Sequence, residues 1–207
     1  MKLKFFPLYL SMIIPLDLTA WKEIKFDKIK ANKVEVVEDS LNIKIENSSS
    51  ILIYPLQEAK ELNKIKISGK LIGNLNFTKN QGNENFDDFT LKIGFIVSGD
   101  KKLSGLKKLF APKWIKDLHL LIPKETGLSH LELFVAVKDK KLLNTNRLHP
   151  LSDLFHENFI FDLSKEGNFN FESKTKSKFK VVGLWMSSDG DNSKSQYSIQ
   201  INSLEIE

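Results

Sequence analysis

The chain contains no cysteine, which excludes disulfide bonds, thiolate metal ligands and cysteine nucleophiles. It also excludes the lipidated cysteine of a bacterial lipoprotein. Arginine is nearly as scarce, because Arg147 is the only one among 31 lysine and arginine residues. Arginine forks commonly recognise phosphates and bases, and the net charge is only +5, so we expect no nucleic-acid partner.

Long hydrophobic runs are missing beyond residue 20, so no transmembrane helix is predicted. The first twenty residues resemble a secretory signal, with Lys2 and Lys4 before an apolar stretch at 5–16 and Ala20 at a candidate cleavage site. The alternative is a buried N-terminal strand. We therefore predict a signal peptide at 1–20 and a single exported domain at 21–207, periplasmic or secreted.

Several enzyme motifs are also missing. The sequence has no Gly-x-Ser-x-Gly elbow, no His-Glu-x-x-His helix and no phosphate-binding glycine loop. The four histidines, His119, His130, His149 and His156, lack the paired spacing of a zinc site. We therefore assign no catalytic residue and no zinc ligand from the sequence.

Period-two alternation of apolar residues is the dominant pattern that the sequence does contain. It runs through 41–45, 51–53, 65–71, 91–97, 131–137 and 197–201. Polar residues fill most alternate positions of several runs, which predicts an all-β, antiparallel β-sandwich of jelly-roll type. The segment 181–186 is apolar at every position and predicts a central strand covered on both faces. A change of parity predicts a bulge near Asn202 and Ser203.

Between residues 105 and 121 the apolar residues recur at three- and four-residue steps. This pattern predicts one or two short surface helices, interrupted at Pro112. Lysines surround the apolar face, so a helix that caps the sandwich and a membrane-surface helix are both consistent with it. We favour the cap and expect no membrane contact. Trp114, which lies near Lys113 and Lys116, is a candidate for stacking against a sugar, whereas Trp185 is expected in the core.

Acidic residues gather at two predicted strand ends. Asp189, Asp191 and Asn192 follow the apolar strand and share the alternate spacing of calcium loops, although the glutamate of an EF-hand is missing. A looser calcium site, a sugar-binding loop and a simple Asp-Gly hairpin turn are all consistent with these residues. Asp87 and Asp88 directly precede the strand at 89–97, where they could bind a ligand or form a solvated turn.

Three segments together resemble a known family: Asp87-Asp88, the stretch 156–163 with Glu157 and Asp162, and the block 181–192. Their order is similar to the domain-of-unknown-function family 3047 of exported bacterial proteins. The chain departs from that family at 65–71, which lacks the expected tryptophans, and at Ser193, where threonine is usual. The resemblance implies a jelly-roll sandwich similar to galactose-binding-like and carbohydrate-binding modules, with the acidic positions as candidate ligand contacts. The family itself has no assigned activity.

The sequence therefore favours an exported, non-catalytic binding module for a carbohydrate or another cell-envelope ligand. The candidate ligand-binding residues are Asp87, Asp88, Trp114, Glu157 and Asp162, and the candidate calcium ligands are Asp189, Asp191 and Asn192. One alternative is a polysaccharide hydrolase or lyase that uses carboxylates near Asp189. Another is an envelope protein whose basic stretch at 105–118 meets a membrane or a protein partner.

Overall fold

The computed structural model describes residues 11–77, 81–83, 86–102, 109–123, 126–150 and 152–207. These residues form eleven strands, one α-helix and a short 3-10 turn at Lys140–Leu142. The strands are β1 (Met12–Ile13), β2 (Lys22–Lys25), β3 (Lys33–Val37), β4 (Ser40–Glu46), β5 (Ser49–Gly73), β6 (Leu91–Gly99), β7 (Gly127–Val137), β8 (Thr145–His149), β9 (Ser152–Asp162), β10 (Gly167–Asp189) and β11 (Gln196–Ile206). The helix α1 (Lys113–Leu121) begins directly after Pro112, where proline is tolerated, and buries Leu118.

All eleven strands belong to one hydrogen-bonded sheet in the order β3-β4-β11-β5-β10-β6-β7-β9-β8, with β1 beside β11 and β2 beside β5. The two central strands, β5 and β10, contain 25 and 23 residues and pair along most of their length. Every pair is antiparallel except β7 with β9, which is parallel and which the sequence patterns did not predict.

The first hydrophobic cluster shows that this sheet folds over onto itself. It joins Ile43 of β4 and Ile199 of β11 to Phe95 of β6 and Phe134 of β7. The pair β4–β11 is separated from the pair β6–β7 by β5 and β10 in the sheet. The two ends of the strand order therefore pack face to face as two layers, and β5 and β10 run through both. The predicted fold class, an all-β sandwich with a short surface helix, is confirmed.

A second cluster covers the outer face of one layer. It contains Ile53 of β5, Trp185 of β10, Leu133 of β7 and Leu118 of α1. Within β10, Leu184 belongs to the first cluster and Trp185 to the second, so this strand is covered on both faces as predicted. The predicted bulge is also present, as a shift of register between Ile201 and Ser203 where β11 pairs with β5.

The N-terminal segment is part of the sandwich as far as the structure describes it. Met12 pairs with Ile206, and the N–H of Ile14 donates to the carbonyl of Leu204 at 2.8 Å. The Ile14 side chain is 1% exposed and belongs to the first cluster. Met12 and Ile13 thus pair with β11 and Ile14 is buried, while residues 1–10 of the predicted signal lie outside the described residues. The signal peptide at 1–20 stays a prediction, and so does export.

The helix α1 is short and amphipathic. No helix within the described ranges is long and apolar enough to cross a bilayer. Residues 105–108 of the predicted basic stretch lie outside those ranges. In its described part, Trp114 and Leu118 pack in the second cluster, whereas Leu109 and Phe110 are exposed.

Candidate functional site

A cleft of about 1110 Å³ opens on the face of the sheet that carries the second cluster, beside α1. Its volume is close to the upper end of the range for small-molecule sites, about 300–1000 Å³. The polar and charged side chains along it include Ser49, Asp87, Asp88, Lys92, His149, Asp189, Asp191 and Asn192. An aromatic wall is formed by Phe26, Trp114, Phe155 and Trp185. Most of the acidic residues predicted from the sequence thus meet in one place.

The strand order explains this convergence. Strands β5, β10 and β6 are neighbours, and the register places Ser49 opposite Asp189 and Lys92 opposite Ser187. Because side chains on a strand alternate between faces, Ser187 and Asp189 point to the same side of the sheet as their partners. The loop before β6 and the connection from β10 to β11 therefore lie at the same rim of the cleft.

Lys92 lies at the centre of the charged floor. Its ammonium is 3.3 Å from Oδ2 of Asp189 and 3.5 Å from Oε1 of Glu157, and its side chain is only 11% exposed. Burial alone would disfavour the charged amine. The negative charges of Asp189, Glu157 and Asp87 outweigh that effect and raise the pKa of Lys92 above its usual range.

Arg147 of β8 forms a second charged centre. Its Nε donates to Oε2 of the buried Glu157 at 2.7 Å, and its two terminal nitrogens donate to Asp87 and to the carbonyl of Gly82. Nε2 of His149 lies 2.8 Å from the other oxygen of Asp87. Burial would raise the pKa of Asp87, but the His149 hydrogen bond, Lys92 and Arg147 together lower it. Asp87 therefore stays ionised at the rim of the cleft.

Asp88 holds the acidic loop in place. Its carboxylate is fully buried and accepts from the backbone N–H of Ser193 at 2.6 Å, from its hydroxyl at 2.6 Å and from the N–H of Asn192 at 3.3 Å. These bonds satisfy backbone donors of the turn between β10 and β11. We therefore interpret Asp88 as a positioning residue for the loop.

Asp189 has both carboxylate oxygens engaged. Ser49 donates to Oδ1 at 2.6 Å, and Oδ2 faces Lys92. Burial raises the pKa of Asp189, and Lys92 opposes this rise. Calcium at Asp189 would have to displace the serine bond and compete with an ammonium ion. Of the predicted calcium ligands, Asp189 is therefore the one whose oxygens already have partners.

Asp191 and Asn192 are the loop residues that face outward. Burial, together with the negative charges of Asp88 and Asp189, raises the pKa of Asp191 to about 6. Among the described residues, no side chain donates a hydrogen bond to the Asp191 carboxylate. The Asn192 side chain is exposed, and only its backbone N–H is held, by Asp88. These two side chains can therefore hydrogen-bond a ligand.

The aromatic wall is ordered by edge-on and tilted ring contacts. Phe155 lies 5.5 Å from Trp185 and 5.7 Å from Trp114 between ring centroids. The indole N–H of Trp185 donates to the hydroxyl of Ser187 at 3.1 Å. Trp185 is 3% exposed, as expected for a core residue, whereas Trp114 is only partly buried and is the tryptophan that presents surface to the cleft.

Two predicted ligand residues do not line the cleft: Glu157, which is fully buried between Lys92 and Arg147, and Asp162. Asp162, at the end of β9, accepts a 2.7 Å bond from Lys140 in the neighbouring 3-10 turn and lies outside the cleft lining. The hydrogen bond from Lys140 lowers the pKa of Asp162 to about 2. Sequence analysis also missed Lys92, Arg147 and His149. Arg147 could have been singled out from the sequence. A single arginine in a chain that otherwise uses lysine indicates a site where the planar, forked guanidinium group is needed.

No protein-family model matches the chain, so the resemblance to family 3047 has no support from that search. No curated protein matches it either. The chain is similar to the metal-free lectin I-B4 from Griffonia simplicifolia at 10% identity and a TM-score of 0.38, covering 96% of this chain and 98% of the lectin.

Two further solved structures are similar at the same level. The exoplasmic/lumenal domain of VIP36, in its Ca2+/Man-bound form, has 9% identity and a TM-score of 0.38, covering 95% of this chain and 88% of that one. PfGH50B has 9% identity and a TM-score of 0.34, and this chain spans only 22% of its length. Similarities this weak carry no argument about ligands. The chain's own geometry defines it as an all-β sandwich with a polar cleft.

Proposed function

We propose that the chain is a non-catalytic module that binds a carbohydrate in the cleft between α1 and the Asp189–Asn192 loop. The observation that supports this most directly is the pairing of one aromatic wall with a rim of hydrogen-bonding carboxylate and amide groups. Sugars present hydroxyl groups on their edges and apolar C–H faces on their rings, so both kinds of surface are needed. Trp114 offers the ring, and Asp191 and Asn192 offer the hydrogen bonds.

The charge balance supports a neutral or amino sugar. Among the lining residues, Asp87, Asp88, Asp189 and Asp191 are acidic, and Lys92 is the strongly basic one. Because Lys92 is already shared between Asp189 and Glu157, it offers little to an anionic ligand. A uronic acid would be repelled by Asp191, whereas the ammonium group of an amino sugar would be attracted.

Calcium and export belong to the same proposal. A calcium ion at the rim would take oxygen ligands from Asp191, Asn192 and backbone carbonyls of the loop, and would screen the negative charge there. An exported module would meet cell-envelope glycans. Neither feature is needed for the cleft to bind a neutral sugar, so each is tested separately.

The first test is a glycan array, which includes amino sugars and peptidoglycan fragments, probed with the purified full chain in calcium and in chelator. The hits are then titrated by calorimetry with Trp114→Ala and Asp191→Asn. We expect each substitution to weaken binding at least about tenfold, the loss of one good contact. The melting temperature should not fall in Asp191→Asn, and circular dichroism establishes that Trp114→Ala, which loses ring contacts with Phe155 and Trp185, is still folded. Loss in chelator would establish calcium as a cofactor.

Asp162→Asn is the matched control, because it makes the same chemical change at an acid outside the cleft. It should bind as the wild type does. A blank array under both conditions would contradict the proposal. Equal binding by wild type, Trp114→Ala and Asp191→Asn would move the ligand away from this cleft.

A hydrolase is the second candidate, and the environment of Asp191 favours it. A carboxyl group with a pKa of about 6 beside further carboxylates has the character of a general acid. Each glycan that binds is therefore incubated with the chain, and the reducing ends are counted. Product that disappears in Asp191→Asn while the glycan still binds would establish catalysis, whereas saturable binding without product supports the module.

A further inference from the structure

The parallel pair β7–β9 brings two histidines and a glutamate to one face of the sheet. Glu132 of β7 lies directly opposite His156 of β9, and His130 lies two residues before Glu132 on the same strand. Because strand side chains alternate with period two, all three point the same way. His156 lies too far along the sequence from His130 and Glu132 for the three residues to suggest a metal site.

Two of the three separations between the ligand atoms are close to the edge of a metal coordination tetrahedron. Nε2 of His130 is 3.4 Å and Nδ1 of His156 is 3.6 Å from the same oxygen, Oε2 of Glu132. Both separations exceed a normal hydrogen bond. Bonds of about 2.0–2.1 Å to a tetrahedral ion require ligand atoms about 3.3–3.4 Å apart. The ligand atoms of all three residues lie within 4.8 Å of one another.

Hydrogen bonds from neighbouring residues orient two of the three candidate ligands, His130 and Glu132. Nδ1 of His130 lies 2.9 Å from the hydroxyl of Ser129, which leaves Nε2 directed at the cluster. Asn158 donates to the other oxygen of Glu132 at 2.9 Å. Metal-binding histidines and carboxylates are commonly fixed by such second contacts.

The rings of His130 and His156 lie against each other on this face. The two imidazole rings are stacked, with centroids 4.1 Å apart and planes 19° from parallel. Because a lone pair lies in the plane of its ring, the rings must tilt to reach one ion. Rotation about χ2 of His156, whose side chain is 41% exposed, can provide that tilt.

We propose that His130, Glu132 and His156 bind one divalent first-row transition metal, with zinc as the probe. Two imidazoles and one carboxylate suit zinc and related metals and do not suit calcium, which prefers oxygen ligands alone. Three protein ligands leave a fourth position for water. The site is separate from the cleft: Glu157, the next residue after His156, points to the opposite face and joins the Lys92 and Arg147 network.

The test is calorimetric titration of the EDTA-stripped full chain with Zn²⁺, supported by visible absorption of the Co²⁺ complex. We expect one ion per chain and a Co²⁺ spectrum of low coordination number. His130→Ala and His156→Ala should each weaken zinc at least about 100-fold, and Asn158→Ala, which removes only an outer contact, should weaken it about tenfold. Calcium should give no heat at this site.

His119→Ala is the matched control, because His119 lies on α1 outside the cluster, and it should bind zinc as tightly as the wild type. Circular dichroism establishes that each variant is folded. Because His156 is partly exposed, its replacement should leave the fold intact even if His130→Ala does not. The proposal is overturned if the wild type binds no stoichiometric zinc, or if His156→Ala binds it as tightly as the wild type.

Discussion

At the scale of single residues, the cleft depends on one buried cation that serves two carboxylates. Lys92 lies between Asp189 and Glu157, and the Glu157 carboxylate is fully inaccessible. Arg147 provides the second cation for Glu157 and also binds Asp87. Because charges in a low-dielectric interior need partners, each of these side chains depends on the others.

Replacement of this cation should therefore strongly destabilise the fold. We expect Lys92→Met to lower the free energy of unfolding by about 3–5 kcal/mol, since the buried Asp189 loses its cation and Glu157 loses one of its two. Lys60→Met, which breaks only the exposed contact with Glu58, should cost no more than about 1 kcal/mol. Urea denaturation measures both variants, and equal costs for the two would contradict this account of the network.

Asp191 gives the cleft a pH dependence whose sign follows from its raised pKa. Its pKa of about 6 in the folded chain exceeds the usual 3.8, so ionisation of this carboxyl opposes folding. The stability associated with its protonated form is fully present below about pH 3.8 and is lost as the pH rises through about 6. Asp191→Asn removes this loss.

We expect Asp191→Asn to stabilise the chain by about 1 kcal/mol at about pH 8, after allowance for solvent screening of a half-exposed group. At about pH 4 the gain should nearly disappear, because the wild-type carboxyl is then protonated in the fold. Asp39→Asn, at an exposed turn, is the control for the same chemical change made away from the cleft. Urea denaturation at the two pH values provides the comparison, and a gain that does not depend on pH would refute the argument.

At the scale of elements, the two short strands β1 and β2 extend the sheet by pairing with parts of longer strands. Strand β1 pairs with the end of β11, and β2 pairs with the first part of β5. Between them, the indole of Trp21 donates to the carbonyl of Pro15 at 2.8 Å and its ring is buried in the first cluster. The segment from residue 12 to residue 25 thus contributes to the core along with the later strands.

Neighbouring isoleucines of the N-terminal segment provide a matched test of this contribution. Ile14 is 1% exposed, whereas Ile13 is 73% exposed. We expect Ile14→Ala to cost about 2–4 kcal/mol in unfolding free energy and Ile13→Ala less than about 0.5 kcal/mol. Small and equal effects in urea denaturation would show that residues 12–14 are dispensable, as removal of a signal peptide would require.

At the scale of the whole molecule, the two layers share their central strands. Residues of β5 and β10 contribute to both hydrophobic clusters, and the two strands pair with each other from one end of the sandwich to the other. Neither layer can lose these strands without exposing the apolar face of the other. We therefore expect the sandwich to unfold as one unit.

Two tryptophans can report on the two hydrophobic clusters separately. Trp21 lies in the first cluster and Trp185 in the second. One variant combines Trp114→Phe with Trp185→Phe, and the other combines Trp114→Phe with Trp21→Phe, so that each retains one reporter. In each variant, fluorescence and far-ultraviolet circular dichroism should give the same urea midpoint. Separate midpoints in either variant would mean that part of the sandwich unfolds before the rest.

Features that depend on local periodicity could be predicted from the sequence. The alternating runs predicted strands, the apolar segment around Trp185 predicted a strand covered on both faces, and the parity change predicted the bulge before Ser203. The break at Pro112 predicted the start of a helix. An element that buries one face needs apolar residues at its own structural period, two for a strand and about 3.6 for a helix. These features can therefore be recognised from the spacing of apolar residues in the sequence.

Only the tertiary structure decided which distant side chains meet. The register of β10 with β6 brings Lys92 to Asp189, and the pairing of β8 with β9 brings Arg147 to Glu157. Asp162, which occupies a comparable strand end, instead pairs locally with Lys140. Strand order, register and the parallel pair β7–β9 arise from packing between segments far apart in the chain. No local pattern encodes such contacts, because each depends on the whole sandwich having closed.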